Sequence, residues 1–121
     1  MNIEDFEKLS RNRFDACLGL MLCQKNEEYS RNGDKLHNFK QAARIDNESP
    51  ERALWGMMKK HLVSIQDIIN DINYMYETID HDTEIKLPSE KILAEKIGDT
   101  INYIVLLEAL ITERRKHKIL P

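Results

Sequence analysis

Only four glycines and three prolines interrupt the 121 residues of this chain, and the turn signals fall at Asn32-Gly33, Ser49-Pro50 and Pro88. Between them no stretch alternates apolar and polar residues with the period of two that a half-buried strand requires. Apolar residues recur instead at intervals of three and four, the spacing of one helical face. The pattern predicts an all-α chain, a helical bundle of about four helices.

The first segment reads as helix over residues 3–30, with a candidate break near residues 10–12, and sets Phe14, Cys17, Leu18 and Met21 at helical spacing. Asp34 is positioned to cap a short helix through LHNFKQAAR, and the polar loop IDNE follows. Ser49-Pro50-Glu51 is a strong start signal: a capping hydroxyl, proline at the first helical position and an acid in the first turn. The helix it opens carries Leu54, Met58, Ile65, Ile68, Ile69, Ile72 and Tyr76 as one stripe. The stretch DHDTEIKLP closes it, and Pro88 or Ser89 opens a last helix that runs to about Lys116.

That last helix spreads Leu93, Ile97, Ile101, Ile104, Val105, Leu107 and Ile111 over much of its circumference. It therefore reads as the central element, buried by neighbours on several sides. Two other helices and one short one leave much of it uncovered, which predicts a homodimer or larger homo-oligomer with Leu106 and Leu110 at the contact.

Charge and composition narrow the class. Net charge is −3, from 18 basic and 21 acidic residues, so no broad basic field draws the chain to nucleic acid or to an anionic membrane. A content of 41% hydrophobic and 32% charged residues suits one domain spanning residues 1–121. No apolar run approaches the roughly 20 residues of a membrane span, and MNIEDFEKLSRNRFD has acids where a signal peptide has a basic region and an apolar core. Cys17 and Cys23 diverge on one expected helix, which argues against a disulfide between them and fits a reduced, cytoplasmic setting.

Within the apolar last helix, EKIGDTINY sets Glu95, Asp99 and Asn102 within about 60° of one another, one polar stripe. Unpaired buried charges cost several kcal/mol, so the stripe must meet cations or water. Pairing within the helix, Glu95 with Lys91 or Asp99 with Lys96, is the plainest account. A metal site is the other. In KNEEYS, Glu28 extends the inward stripe of Phe14 and Met21, and three carboxylates on two core-facing helices are the hard oxygen ligands that Mg²⁺ takes.

The segment WGMMKKHLVSIQD adds candidate cations. His61 falls within the apolar stripe, where a histidine is most often a core residue, and Lys60 lies about 100° away beside Asp67 and Asp71. Trp55 and Phe39 are flat enough to stack on a base, although each also suits a core anchor.

Together KNEEYS, KLHNFKQAA, SPERALWGMMKKH and EKIGDTINYIVLLEAL resemble the phage- and prophage-associated, MazG-like branch of the all-α nucleoside triphosphate pyrophosphohydrolase superfamily, over residues 14–113. EKIGDTINY is the most specific part, similar to the helix whose carboxylates hold magnesium in that superfamily. The resemblance implies a four-helix core, often completed by dimerisation, that binds a nucleotide through Mg²⁺ and hydrolyses it to a nucleoside monophosphate and pyrophosphate. It implies Glu28, Glu95 and Asp99 as metal ligands and catalytic acids, and Asn102 as a contact to the nucleotide or a metal-bound water. Lys60 and His61 are the candidates for phosphate charge, with Trp55 and Phe39 for the base.

The chain departs from the pattern at Lys96, where the superfamily carries an acid three residues before the aspartate. It departs again at Gln24 and Lys25, where the earlier helix carries its other acids. A nucleotide-binding protein without hydrolysis is the alternative these departures suggest. A structural helical oligomer, with the acids in interhelical ion pairs, is a third.

Overall fold

A computed structural model describes residues 1–22, 33–78 and 87–117. They form four helices, α1 (Ile3–Leu22), α2 (His37–Asp46), α3 (Pro50–Thr78) and α4 (Glu90–Lys116). No strand occurs among the described residues, so the fold is the expected all-α bundle. No helix among them is long and apolar enough to cross a membrane.

Two helix starts follow directly from their caps. Ser49 Oγ accepts from the Arg52 amide at 3.1 Å and Ser89 Oγ from the Ile92 amide at 3.2 Å, each satisfying one orphan donor of a first turn. Arg114, Arg115 and Lys116 occupy the last turn of α4, where cations complement the helix dipole.

Two details differ from the sequence reading. Helix α1 continues unbroken through residues 10–12, and its polar residues there find partners on their own helix. Ser10 Oγ donates to the Phe6 carbonyl at 2.8 Å, and Arg11 pairs with Glu7 at 2.8 Å. The residues expected to continue this helix beyond Leu22, with Cys23 and Glu28, lie outside the described residues. Asp34 does not cap α2 either. Leu36 holds the cap position, and Asp34 Oδ1 accepts from the Leu36 amide at 2.9 Å, a local turn that sets up the helix instead.

Helices α3 and α4 run antiparallel: Glu51 meets Arg114 at one end, and His61 meets Asp99 further along. Helix α2 packs on α3, and among the described helices α1 packs on α4. The core joins Leu36 and Phe39 to Leu54, Met58, Tyr103, Leu106 and Leu110. Leu106 and Leu110, expected at a dimer contact, are thus buried inside the chain, because they share one α4 face with Tyr103 and that face meets Leu54 and Met58.

The rest of α4 is less covered than its composition suggests. Ile104, Val105 and Ile111 remain 51%, 41% and 45% exposed, since no described helix lies over that flank. On α3 the expected stripe is buried only at Leu54 and Met58, while Ile69 and Tyr76 stand out in the open.

Side-chain ion pairs tie the end of the bundle together. Lys40 on α2 bridges Asp34, at 2.8 Å, and Glu113 on α4. Arg114 forks onto Glu51 at 2.7 and 2.8 Å. The Lys40 ammonium bonded to Asp34 and the Arg114 guanidinium bonded to Glu51 hold both carboxyls below their ordinary range. A carboxyl with a lowered folded-state pKa contributes stability that is complete above its unfolded value and disappears as pH falls through the folded one. Stability is therefore expected to be nearly level from pH 7 to about 5 and to decline below about pH 4.5. Urea melts should show Glu51→Gln less stable than wild type at pH 7, with the gap closing as the pH falls toward 3. An equal gap at both ends would show that Glu51 acts by packing rather than by charge.

Candidate functional site

Around α4, counting about 100° per residue from Gly98, Asn102 falls near 40°, Glu95 near 60°, Asp99 near 100° and Tyr103 near 140°. Gly98 backs onto α1 and Tyr103 onto the core. The polar stripe therefore lies between the α1 side and the α3 side of α4. Among the described residues the backbones of α1 and α3 do not approach each other closely, so the stripe lies in the gap between them, a groove among the described residues.

Cys17 and Arg13 make the α1 wall. Cys17 is buried and its thiol donates to the Gly98 carbonyl at 3.7 Å. A Cβ on Gly98 would stand 3.8 Å from the Cys17 sulfur and 3.9 Å from the Arg13 guanidinium. Burial pushes the Cys17 thiol up, against the pull of Arg13 and with a further push from the Asp99 charge. The thiol is therefore a neutral packing group at neutral pH and a poor nucleophile.

His61 makes the α3 wall. Its Nδ1 lies 3.8 Å from Asp99 Oδ2, and its ring rests 5.3 Å from Tyr103, tilted by 40°. His61 Nδ1 and Asn102 Oδ1 are both buried with no hydrogen-bond partner. An orphaned buried polar atom costs about 1–3 kcal/mol, so two of them beside one carboxylate are a feature that packing alone does not explain.

The structure brings Asp99, Asn102 and His61 together, with Glu95 at the edge of the same stripe. Glu95 is the most exposed of the floor, and its carboxylate lies 3.6 Å from the Lys96 ammonium. Lys96 thus turns to Glu95, and among the described residues the group paired with Asp99 is His61 rather than a lysine. Lys60 and Trp55 are exposed, pointing about 100° and 120° away from His61 around α3. Phe39 is fully buried, packed edge-on against Tyr103 with ring centroids 6.4 Å apart. These three lie apart from the groove, and Glu28 lies outside the described residues.

Arg13, Cys17 and Tyr103 belong to this neighbourhood without having been singled out from sequence. The available signal was Gly98, a glycine inside a helix of large apolar residues, which marks the close approach of another helix.

Among the described residues no three His, Cys, Asp or Glu side chains gather as a metal-binding group. Asp99 and the Asn102 amide oxygen are nevertheless hard donors one turn apart, and the amide oxygen is buried without a partner. That donor set fits Mg²⁺, which takes one or two protein oxygens and completes its shell with water and phosphate. Comparison with protein-family models, with curated proteins and with solved structures found no match to the chain.

Proposed function

We propose that the groove binds a nucleoside triphosphate with Mg²⁺ and hydrolyses it between the α and β phosphates, to a nucleoside monophosphate and pyrophosphate. The substrate class, a deoxynucleotide among its members, follows the all-α pyrophosphohydrolases that the chain resembles, and the setting implied is cytoplasmic. The observation that supports the reading is the pair of orphaned buried atoms, His61 Nδ1 and Asn102 Oδ1, on either side of Asp99. Both atoms are closed off from solvent, so a polar occupant of the groove would satisfy them as the two side chains turn toward it.

Asp99 and Asn102 would hold the metal, which when bound polarises the phosphoryl group and acidifies a coordinated water. Glu95, exposed at the end of the stripe, is placed to accept the proton of the attacking water. His61, braced by Tyr103, presents an imidazole to the phosphate oxygens, and as a cation it would offset their charge.

A specific observation favours a second reading, nucleotide binding without turnover. The Lys96 ammonium lies 3.6 Å from Glu95 and stands where the resemblance expects an acid, so the proton acceptor is partly neutralised. A panel of nucleoside and deoxynucleoside triphosphates with Mg²⁺, read by thermal shift and by pyrophosphate release, separates the two. Stabilisation with release supports hydrolysis, and stabilisation alone supports sequestration. Neither signal with any triphosphate would overturn both and leave a structural oligomer.

Association of identical chains is part of the proposal. A standard interface buries roughly 800 Å² per partner, and the flank of α4 left uncovered by the described helices, with Ile104, Val105 and Ile111, supplies apolar surface for it. Light scattering at micromolar concentration is expected to give at least twice the chain mass. A value of 14.2 kDa would count against assembly.

A further inference from the structure

The polar stripe fills one of the two gaps that α1 and α3 leave around α4. The other gap is apolar. Counting about 100° per residue from Gly98, Leu93 falls near 220°, Ile97 near 260°, Ile104 near 240° and Ile111 near 220°. They form one line on the flank away from the stripe, between 37% and 51% exposed, and no described helix lies over it.

The spacing along this line says what belongs there. Ile97, Ile104 and Ile111 recur every seven residues, and Leu93, Thr100 and Leu107 recur every seven between them. Alternating steps of four and three make the narrow seam by which one helix pairs with another, knobs entering holes. A helix that only covers a globular core presents a wider face. Thr100 fits the seam, because its hydroxyl already donates to the Lys96 carbonyl at 2.7 Å and needs no partner across it. Leu107 lies at its edge, packed against the core.

Charge decides the direction of the partner helix. The first turn of α4 carries Glu90, and the last carries Arg114, Arg115 and Lys116. On the same count Glu90 falls near 280° and Arg115 near 260°, about the angle of the seam, whereas Lys91 falls near 20°, on the α1 side. A parallel copy would set two basic turns side by side. An antiparallel copy sets each basic turn beside an acid and opposes the two helix dipoles. About a twofold axis level with residue 102, Leu93 meets the partner's Ile111, Ile97 the partner's Leu107 and Thr100 the partner's Ile104. The same register brings Glu90 to the partner's Arg115, so apolar layers and end charges match together.

We infer that two chains associate through an antiparallel pair of α4 helices, seated along Leu93, Ile97, Ile104 and Ile111 and centred at the level of residue 102. The inference rests on the association of identical chains proposed above, adds its surface, direction and register, and is independent of the nucleotide reading. Such an interface is isologous and closes with two chains.

Two measurements on the full chain test it. Ile104→Lys sets a cation near the middle of the seam twice per dimer, at a site half exposed in the single chain, so helical content should hold. Light scattering should fall from twice the chain mass to 14.2 kDa, with dissociation favoured at least about 30-fold, and Ile104→Leu should stay paired. Leu93→Cys combined with Ile111→Cys should give covalent dimers on oxidation, read on a non-reducing gel with wild type as reference. Within one chain the two positions are about 27 Å apart along the helix, far beyond the reach of a disulfide. Leu93→Cys alone should give none, since the two copies of residue 93 sit at opposite ends of the pair. Covalent dimers from Leu93→Cys alone, or none from the double variant, would overturn the antiparallel register. An Ile104→Lys chain that stays paired would overturn this surface while leaving association to another. A wild type of 14.2 kDa would remove the association reading and this inference with it.

Discussion

Asp99→Asn is expected to abolish Mg²⁺-dependent nucleotide binding and turnover, by at least about 100-fold in affinity, while leaving the helical content of the chain unchanged. The substitution keeps the side-chain volume, so no cavity opens, but it removes the formal charge that a hard cation needs. The structure also says what the metal-free variant should do. Asp99 is 35% exposed and its partner among the described residues is His61 at 3.8 Å, too long for a hydrogen bond. No described lysine is left stranded by the change. Urea melts in EDTA should therefore place the variant within about 1 kcal/mol of wild type, the range of a loose, partly exposed pair. Clear destabilisation in EDTA together with unchanged nucleotide binding would defeat the metal assignment and make Asp99 a structural partner of His61.

Phe39→Ala should have the largest effect on stability, about 3–5 kcal/mol, against a total of about 5–15 kcal/mol for a domain. Phe39 is fully buried and packs edge-on against Tyr103, while Leu54 and Met58 of α3 and Leu106 and Leu110 of α4 complete the same core. Removing the ring leaves a void where α2, α3 and α4 converge. The damage should spread to the groove, because Tyr103 also braces His61. Phe39→Leu is the control. It refills most of the space and should recover most of the stability and all of the nucleotide affinity. Loss of affinity in Phe39→Leu at preserved stability would return Phe39 to the role of base-stacking residue that its sequence context first suggested.

The two variants also mark where sequence reasoning reached its range. The stripe of Glu95, Asp99 and Asn102 was legible because helical angles follow from residue spacing alone. That Asp99 would meet a histidine on α3, while Lys96 turned to Glu95, was not legible, since it depends on how α3 and α4 are rotated against each other. Phe39 shows the converse. Its type and position fitted both a base contact and a core anchor, and only its burial separated them.

What the sequence by itself determined is the set of helices. Periodicity, Ser49-Pro50-Glu51 and Ser89 specify helix starts through interactions that span three or four residues, and such local chemistry is written in residue order. The candidate break near residues 10–12 does not occur: the helix runs through it, with Arg11 paired to Glu7 and Ser10 bonded to the Phe6 carbonyl. What only the tertiary structure decided is which face of each helix meets which neighbour. Leu106 and Leu110 became core rather than interface, Arg13 and Cys17 came beside the polar stripe, and Ile104, Val105 and Ile111 remained uncovered. Each of these outcomes depends on packing between residues far apart in the chain, such as Cys17 against Gly98. Apolar periodicity says that a face must be buried, but hydrophobic burial is non-directional, so the partner is chosen by the shape and rotation of whole helices.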